Sequence, residues 1–388
     1  MPFAAALSTA IPTTQAADEA AQAAVTVLGR DPELAVAFYS PHHAANAADL
    51  ANALAERTGA KALIGVLGES VIGGSREIED RPALALWVAS WGGAVTIDSF
   101  HLGLEETPDG PTLFGWPDAL LEADPATSLL IAFGDPYTFP AAELFLPRVN
   151  EDHPGLAVAG GMASSPMGPG TPSLFLNGEV REQGAVGVLL RGARFRTVVS
   201  QGCRPVGRPL VVTKGQDNVI AEVGGQTPLD YLRTLLAEVT PAERELMQKG
   251  LLLGVATTEY RDEFRRGDFV VRNLVGLDPR TGALAVTDRV RRGQTVQFQV
   301  RDADSADQDL RELLKSATAE GLKPGGGLVF TCNGRGSRMF AEPDHDAKAI
   351  QAGAGPLALA GFFAAGELGP VGGTNFIHGF TARAVLFE

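Results

Sequence analysis

LALAGFFAAGELGPVGGTNFIHGFTARAVLF, residues 357–387, is the stretch from which the rest of the chain can be read. Residues 357–363 form an unbroken apolar run, which predicts a buried strand. The run enters a small-residue turn, Ala364-Ala365-Gly366-Glu367. A Gly369-Pro370 break and the Gly372-Gly373 pair follow, with 366–373 read as turn, and then a second strand carries Asn375 and His378. Glycine takes positive φ without strain and lets backbone or ligand approach closely. More of it stands here than a plain core hairpin requires. Tight turns and a close sheet contact account for it as well as a ligand site does.

Two earlier stretches follow the same order. Residues 34–39 and 62–67 read as buried strands around a helix at 46–58 that stops at Gly59. The turn Gly68-Glu69 to Gly73-Gly74 and a returning strand at 83–90 follow. Residues 128–133 and 156–159 are strands around a short helix at 140–148. The turn 160–165 and a hairpin of 173–180 with 185–190 come next. The third copy has a strand at 327–331, a helix at 344–352, and the opening stretch. Gly-Glu followed closely by Gly-Gly, at Gly68 and again at Gly366, reads as an internal repeat.

Between the second and third copies the chain is richer in strands, with short strands at 195–201, 209–213, 218–223, 252–256, 269–277, 282–286 and 295–300. Helices are expected at 13–28, 228–239, 241–249 (opened by Thr240-Pro241-Ala242-Glu243) and 307–320. Hairpins mixed with crossing helices predict an α+β protein, a layered sandwich of two related domains whose mixed or antiparallel sheets pack against outer helices. A single cut near Gly202–Val206 gives domains 1–203 and 204–388.

Composition narrows the function. The 32 Lys and Arg against 46 Asp and Glu leave a net charge of −14, which disfavours nucleic acid and anionic membrane as partners. Two cysteines, Cys203 and Cys332, far apart in sequence, argue against a disulfide framework and a cysteine zinc site. No apolar run is long enough to span a membrane. The first residues lack a basic signal-peptide start, so a cytoplasmic protein is expected. The six histidines show no metal-binding spacing, and neither a phosphate loop nor a G-x-S-x-G elbow is present. No metal, no cofactor and no catalytic set is assigned.

The strongest local candidate is Thr331-Cys332-Asn333-Gly334-Arg335-Gly336. It leaves a buried strand ahead of a helix whose first amides would face an anion. Cys332 near Arg335 and Arg338 reads either as a reactive thiolate or as a small buried side chain. Asn333 and Arg335 would hydrogen-bond a carboxylate, or simply hold their own turn. Glu69 and Glu367 are candidate carboxylates for an amine or else backbone caps, and His378 reads best as a satisfied core histidine. Arg272, amid apolar VVRNLV, needs a partner, a structural ion pair being the plain alternative.

Several blocks resemble the FIST family (F-box and intracellular signal transduction sensory domain). Residues 62–79, ALIGVLGESVIGGSREIE, are similar to its N-terminal domain, although Val66-Leu67 stand where many members carry Cys and a small polar residue. Residues 269–302 resemble the opening of its C-terminal domain, and 332–336 with 361–382 resemble later motifs of that domain. The resemblance implies a tandem, stand-alone sensory module that binds a small ligand, an amino acid or related small carboxylate, and signals to a separate protein if at all. Its ligand would lie in a cleft between domains, lined by Cys332, Asn333, Arg335, Gly336, Gly366, Glu367, Asn375 and His378, with Glu69 and Arg272 as further candidates. The rival is an enzyme of acyl or thiol transfer, with Cys332 as nucleophile and His378 as base.

Overall fold

The computed structural model describes residues 2–164, 168–171, 173–261, 263–319 and 321–388, so Ser165 of the expected second turn and Glu320 of the expected helix lie outside the described residues. The chain divides into two compact units. The first holds residues 1–199, 310–377 and 381–388, and the second 200–309 with 378–380. A single cut at 203/204 does not produce these units, because the last strands pair with strands of the N-terminal half.

The first unit begins with β1 (Phe3–Ser8), α1 (Thr13–Leu28), β2 (Leu34–Tyr39), α2 (Ala47–Thr58), β3 (Ala62–Leu67), β4 (Val71–Gly73), β5 (Arg76–Ile78) and β6 (Leu84–Ala89). It continues through β7 (Thr96–Thr107), β8 (Gly110–Phe114), β9 (Ser128–Gly134), α3 (Leu146–Asp152), β10 (Ala157–Met162), β11 (Leu174–Leu176), β12 (Glu179–Arg181), β13 (Ala185–Arg191) and β14 (Phe195–Gln201). The second unit carries β15 (Cys203–Pro205), β16 (Leu210–Gln216), β17 (Val219–Val223), α4 (Pro228–Glu238), α5 (Pro241–Lys249), β18 (Leu251–Ala256), β19 (Phe269–Leu277), β20 (Leu284–Val286) and β21 (Thr295–Arg301). After α6 (Ala303–Ala319), the chain adds β22 (Gly326–Cys332), α7 (His345–Ala354), β23 (Ala358–Ala364), β24 (Glu367–Val371), β25 (Thr374–His378) and β26 (Thr381–Phe387).

The repeat is real, and register proves it. In each copy two parallel strands flank a helix, with Leu34 opposite Ala62, Leu129 opposite Ala157, and Gly326 opposite Ala358. A third strand returns antiparallel to the first in β6, β13 and β26. The hairpin before that strand crosses to another copy. Thus β4 pairs with β23, β11 with β3, and β24 with β10. This corrects two expectations: within 366–373, Glu367–Val371 form strand β24 and the turn falls at Gly372-Gly373, and β11–β12 is a hairpin of its own while β13 belongs to another sheet. The Gly-Glu match is offset as well. Glu367 stands opposite Gly161 just as Val71 stands opposite Phe362, so Glu69 lies two residues ahead of the equivalent position.

Burial on both faces explains why the parallel strands read as continuous apolar runs. Their inner faces meet in one core, where the equivalent residues Phe38, Phe133 and Phe330 contact each other edge to face at centroid distances of 5.7, 6.3 and 5.9 Å. Helices cover the outer faces: α1 and α2 on the first sheet, α3 on the second, and α7 with Leu310 and Leu314 of α6 on the third. Helix α1 buries a stripe that is alanine at Ala16, Ala17, Ala20, Ala21 and Ala24, with Thr13 and Leu28 at its two ends. Helix α2 stops where Gly59 turns left-handed at φ 59°.

The second unit is an antiparallel barrel. Strands β21, β16, β17, β20, β19 and β18 pair in turn, and β18 pairs back to β21. Helices α4 and α5 contribute Tyr231, Leu232, Leu235 and Met247 to its core. Helix α5 starts with the capping box expected at Thr240 and Glu243. The class is α+β, with mixed and antiparallel sheets and outer helices. No helix among the described residues is long and apolar enough to cross a membrane.

Candidate functional site

Strand β22 ends in Thr331 and Cys332, and the turn after it folds Arg335 back into the protein. Arg335 is 0% exposed and meets Asp346, 1% exposed, through two parallel bonds: Nε and Nη2 each donate at 2.7 Å. Thr331 Oγ1 donates to the same carboxylate at 2.6 Å, and His345 Nδ1 lies 2.9 Å from it. Burial alone would raise the Asp346 carboxyl, but the Arg335 charge and these bonds hold it well below the usual carboxylate range. Phe340 stacks on His345, and the Arg335 guanidinium lies 5.1 Å from the Phe340 ring centre. Glu77 on β5 accepts from Ala347 N at 2.9 Å. Burial, and then the nearby Asp346 charge, push the Glu77 carboxyl up to about 8.

The expected helix start behind Cys332 is absent. Residues Gly336–Arg338 form one 3-10 turn, and α7 begins at His345 after Asp344 in left-handed conformation, without a side-chain cap. The turn is held by its own bonds and by carboxylates. Gly334 N donates to Cys332 Sγ at 3.5 Å, and Ser337 N and Oγ donate to Glu79. Arg338 pairs with Glu69 and also donates to Asn333 O. Glu69 therefore sits in an exposed ion pair.

Glu367 opens β24 and is 0% exposed. Its Oε2 accepts from Thr381 Oγ1 at 2.6 Å and Thr381 N at 3.3 Å. Arg383, 4% exposed, follows on β26. Burial pushes the Glu367 carboxyl up to about 8 against the Thr381 bonds and the Arg383 charge, and pulls the Arg383 guanidinium down to about 9 against the pull of Glu367. A Cβ on Gly369 would fall 1.6 Å from Arg383 Nη1, so only glycine lets the guanidinium lie there. Among the described residues, Glu77 Oε2, Asn333 Oδ1, Arg335 Nη1, Glu367 Oε1, and Arg383 Nε and Nη2 are buried without a hydrogen-bond partner.

The first unit thus contains Glu69, Cys332, Asn333, Arg335, Gly336, Gly366, Glu367 and Asn375, whereas Arg272 and His378 fall in the second. Cys332 is half-buried and not disulfide-bonded, and His378 is buried at the end of β25. Gly336 has φ 57° and packs against Phe363, while Gly366 O accepts from Met162 N at 2.9 Å. Asn375 bonds across to another repeat. Its Oδ1 accepts from Val158 N at 2.9 Å, and its Nδ2 donates to Asn150 Oδ1 and Leu156 O. Arg272 has its ion-pair partner in Asp288 at 2.6 Å. Among the described residues, no three His, Cys, Asp or Glu side chains form a metal-holding group.

Sequence reasoning missed Glu77, Asp346, Thr381 and Arg383. Arg383 carried a usable signal: an arginine inside the apolar strand TARAVLF, the same signal that singled out Arg272. Asp346 looked like an ordinary acid in a first helical turn.

Two family models match the chain, the FIST N domain over residues 33–226 and the FIST C domain over residues 228–370. An uncharacterized protein of Mycobacterium tuberculosis is 44% identical over 373 residues, covering 96% of this chain and 95% of that protein. An uncharacterized protein of Mycobacterium bovis is 43% identical over 377 residues, with the same two shares covered.

Proposed function

Because this chain belongs to the FIST family, whose domains are associated with sensory roles in signal transduction, we propose that it is a sensor that binds a small carboxylate, an amino acid or a close relative, and works in the cytoplasm. The observation that carries this reading is the set of buried, unpartnered polar atoms on Asn333, Arg335, Glu367 and Arg383. A buried polar group without a partner costs about 1–3 kcal/mol, and groups of both signs gathered in one unit suit a small polar ligand better than they suit a core. Arginine is the side chain fitted to a carboxylate. Signalling would pass to a separate protein.

The test is a thermal-shift screen of the purified protein against amino acids and small carboxylic acids. A ligand at a hundred times its Kd adds about 2.7 kcal/mol to stability. A reproducible rise in Tm with one chemical class supports the reading, and Cys332→Ser should retain that rise. No rise with any compound at saturation removes the reading, and a rise that needs the Cys332 thiol turns attention to covalent chemistry.

A further inference from the structure

The three repeats of the first unit match residue by residue along their paired strands, which makes their differences there informative. Arg383 stands opposite Phe330 as Ala85 stands opposite Phe38 and Val186 opposite Phe133. Glu367 occupies the position of Val71 and Leu174. All four of those aliphatic residues are fully buried in the central core. Side chains directly opposite in paired strands share a face, so register directs Glu367 and Arg383 toward that same core. A carboxyl and a guanidinium thus replace hydrocarbon at one corner of a threefold apolar layer.

Replacing hydrocarbon with buried ionisable groups is costly unless they pair well. These do not pair. Among the described residues no ion pair within 4.0 Å joins Glu367 to Arg383, and Glu367 Oε1 and Arg383 Nε and Nη2 lack hydrogen-bond partners. Thr381 fixes the other Glu367 oxygen, and Gly369 makes room for Arg383 Nη1. Both side chains are therefore positioned, with their bonding edges unused.

We propose that Glu367 and Arg383 form an enclosed site for one compact zwitterion, its cationic group against Glu367 Oε1 and its anionic group against the Nε–Nη2 edge of Arg383. The proposal rests on the ligand-binding reading above and adds that both poles of the ligand are read, in the core of the first unit. A carboxylate without the cation leaves buried Glu367 unmatched. An amine without the anion leaves Arg383 unmatched. Each is discriminated against for the same reason that a polar site rejects an analogue lacking its partner group.

The test compares alanine with lactate and isopropylamine, which each keep one pole, on the wild-type protein and on Glu367→Leu/Arg383→Val. That double variant installs the residues of the second repeat, Leu174 and Val186. The expected result is a wild-type thermal shift with alanine, at least tenfold weaker binding of both single-pole compounds, and a double variant with an undiminished Tm and no alanine shift. A double variant that melts well below wild type shows that the charges are structural and overturns the proposal. Lactate binding as tightly as alanine overturns it too, as does a double variant that still binds alanine. Each of these leaves the broader ligand reading standing, whereas a wild-type protein that binds neither alanine nor any carboxylate of the wider screen removes both.

Discussion

Glu77 and Asp346 are near neighbours held at opposite ends of the carboxyl range. Asp346 keeps its charge because Arg335 grips it through two bonds, and Glu77, desolvated beside that charge, is pushed up to about 8. Glu367 is raised likewise by burial. The sign of the consequence follows from proton counting. Between the ordinary glutamate value of 4.5 and about 8, the folded state binds more protons at Glu77 and Glu367 than the unfolded chain does. Stability therefore falls as pH rises through that window. Asp346 acts in the opposite sense, and its contribution is lost only on acidification below the ordinary aspartate value of 3.8. Tm measured in steps across the window should decline, and Glu77→Gln, which keeps an acceptor for Ala347 N, should make the decline shallower. A flat or rising wild-type profile, or an unchanged slope in Glu77→Gln, would refute this account.

At the scale of elements, β2, β3, β9, β22 and β23 were legible because two-sided burial writes itself as uninterrupted apolar sequence. Strand β1 was not, since FAAALS is as suited to a helix as to a strand. Strands β7 and β8 escaped notice because much of that hairpin is exposed, so Asp98, Glu105 and Glu106 interrupt any apolar pattern. Pairing partners were invisible for a different reason: a hairpin's own residues do not say whose edge it will join. Asn375 illustrates this. Read locally it was a candidate ligand residue, but in the fold it clamps β25 to the β10 end of another repeat through Val158, Leu156 and Asn150. Asn177 makes the equivalent bond to Leu63 N for the β11 hairpin. Replacing Asn375 by Ala strands several buried groups, each costing about 1–3 kcal/mol. Denaturant titration should therefore show a loss of that order or more, with any ligand affinity of the folded variant unchanged. A variant as stable as the parent would remove the clamp from the account.

For the whole molecule the decisive fact is that a continuous cut does not reproduce the compact units. The sequence invited two halves because its repeat and its strand-rich middle are consecutive along the chain. Yet β4 has its partner in β23, β10 takes β24 as its outer neighbour, and the central core includes Leu328, Phe330, Phe362 and Val385 from beyond residue 310. Removing residues 204–388 would expose the inner faces of two sheets and delete one of the three rings that meet at the centre. Each large buried aliphatic or aromatic side chain left in water forfeits about 1.5–3 kcal/mol, and a dozen such losses exceed the 5–15 kcal/mol that a domain has in hand. A fragment of residues 1–203 alone should therefore show no cooperative thermal transition and should bind a hydrophobic dye, while co-expression with residues 310–388 should restore the transition and co-purify the two pieces. Residues 200–309 close their own barrel ladder, so deleting 310–388 should leave a protected barrel core in hydrogen exchange while protection of β2, β3 and β9 is lost. Cooperative unfolding by the 1–203 fragment on its own would mean that the third repeat is an addition to the first unit and not a third of its core.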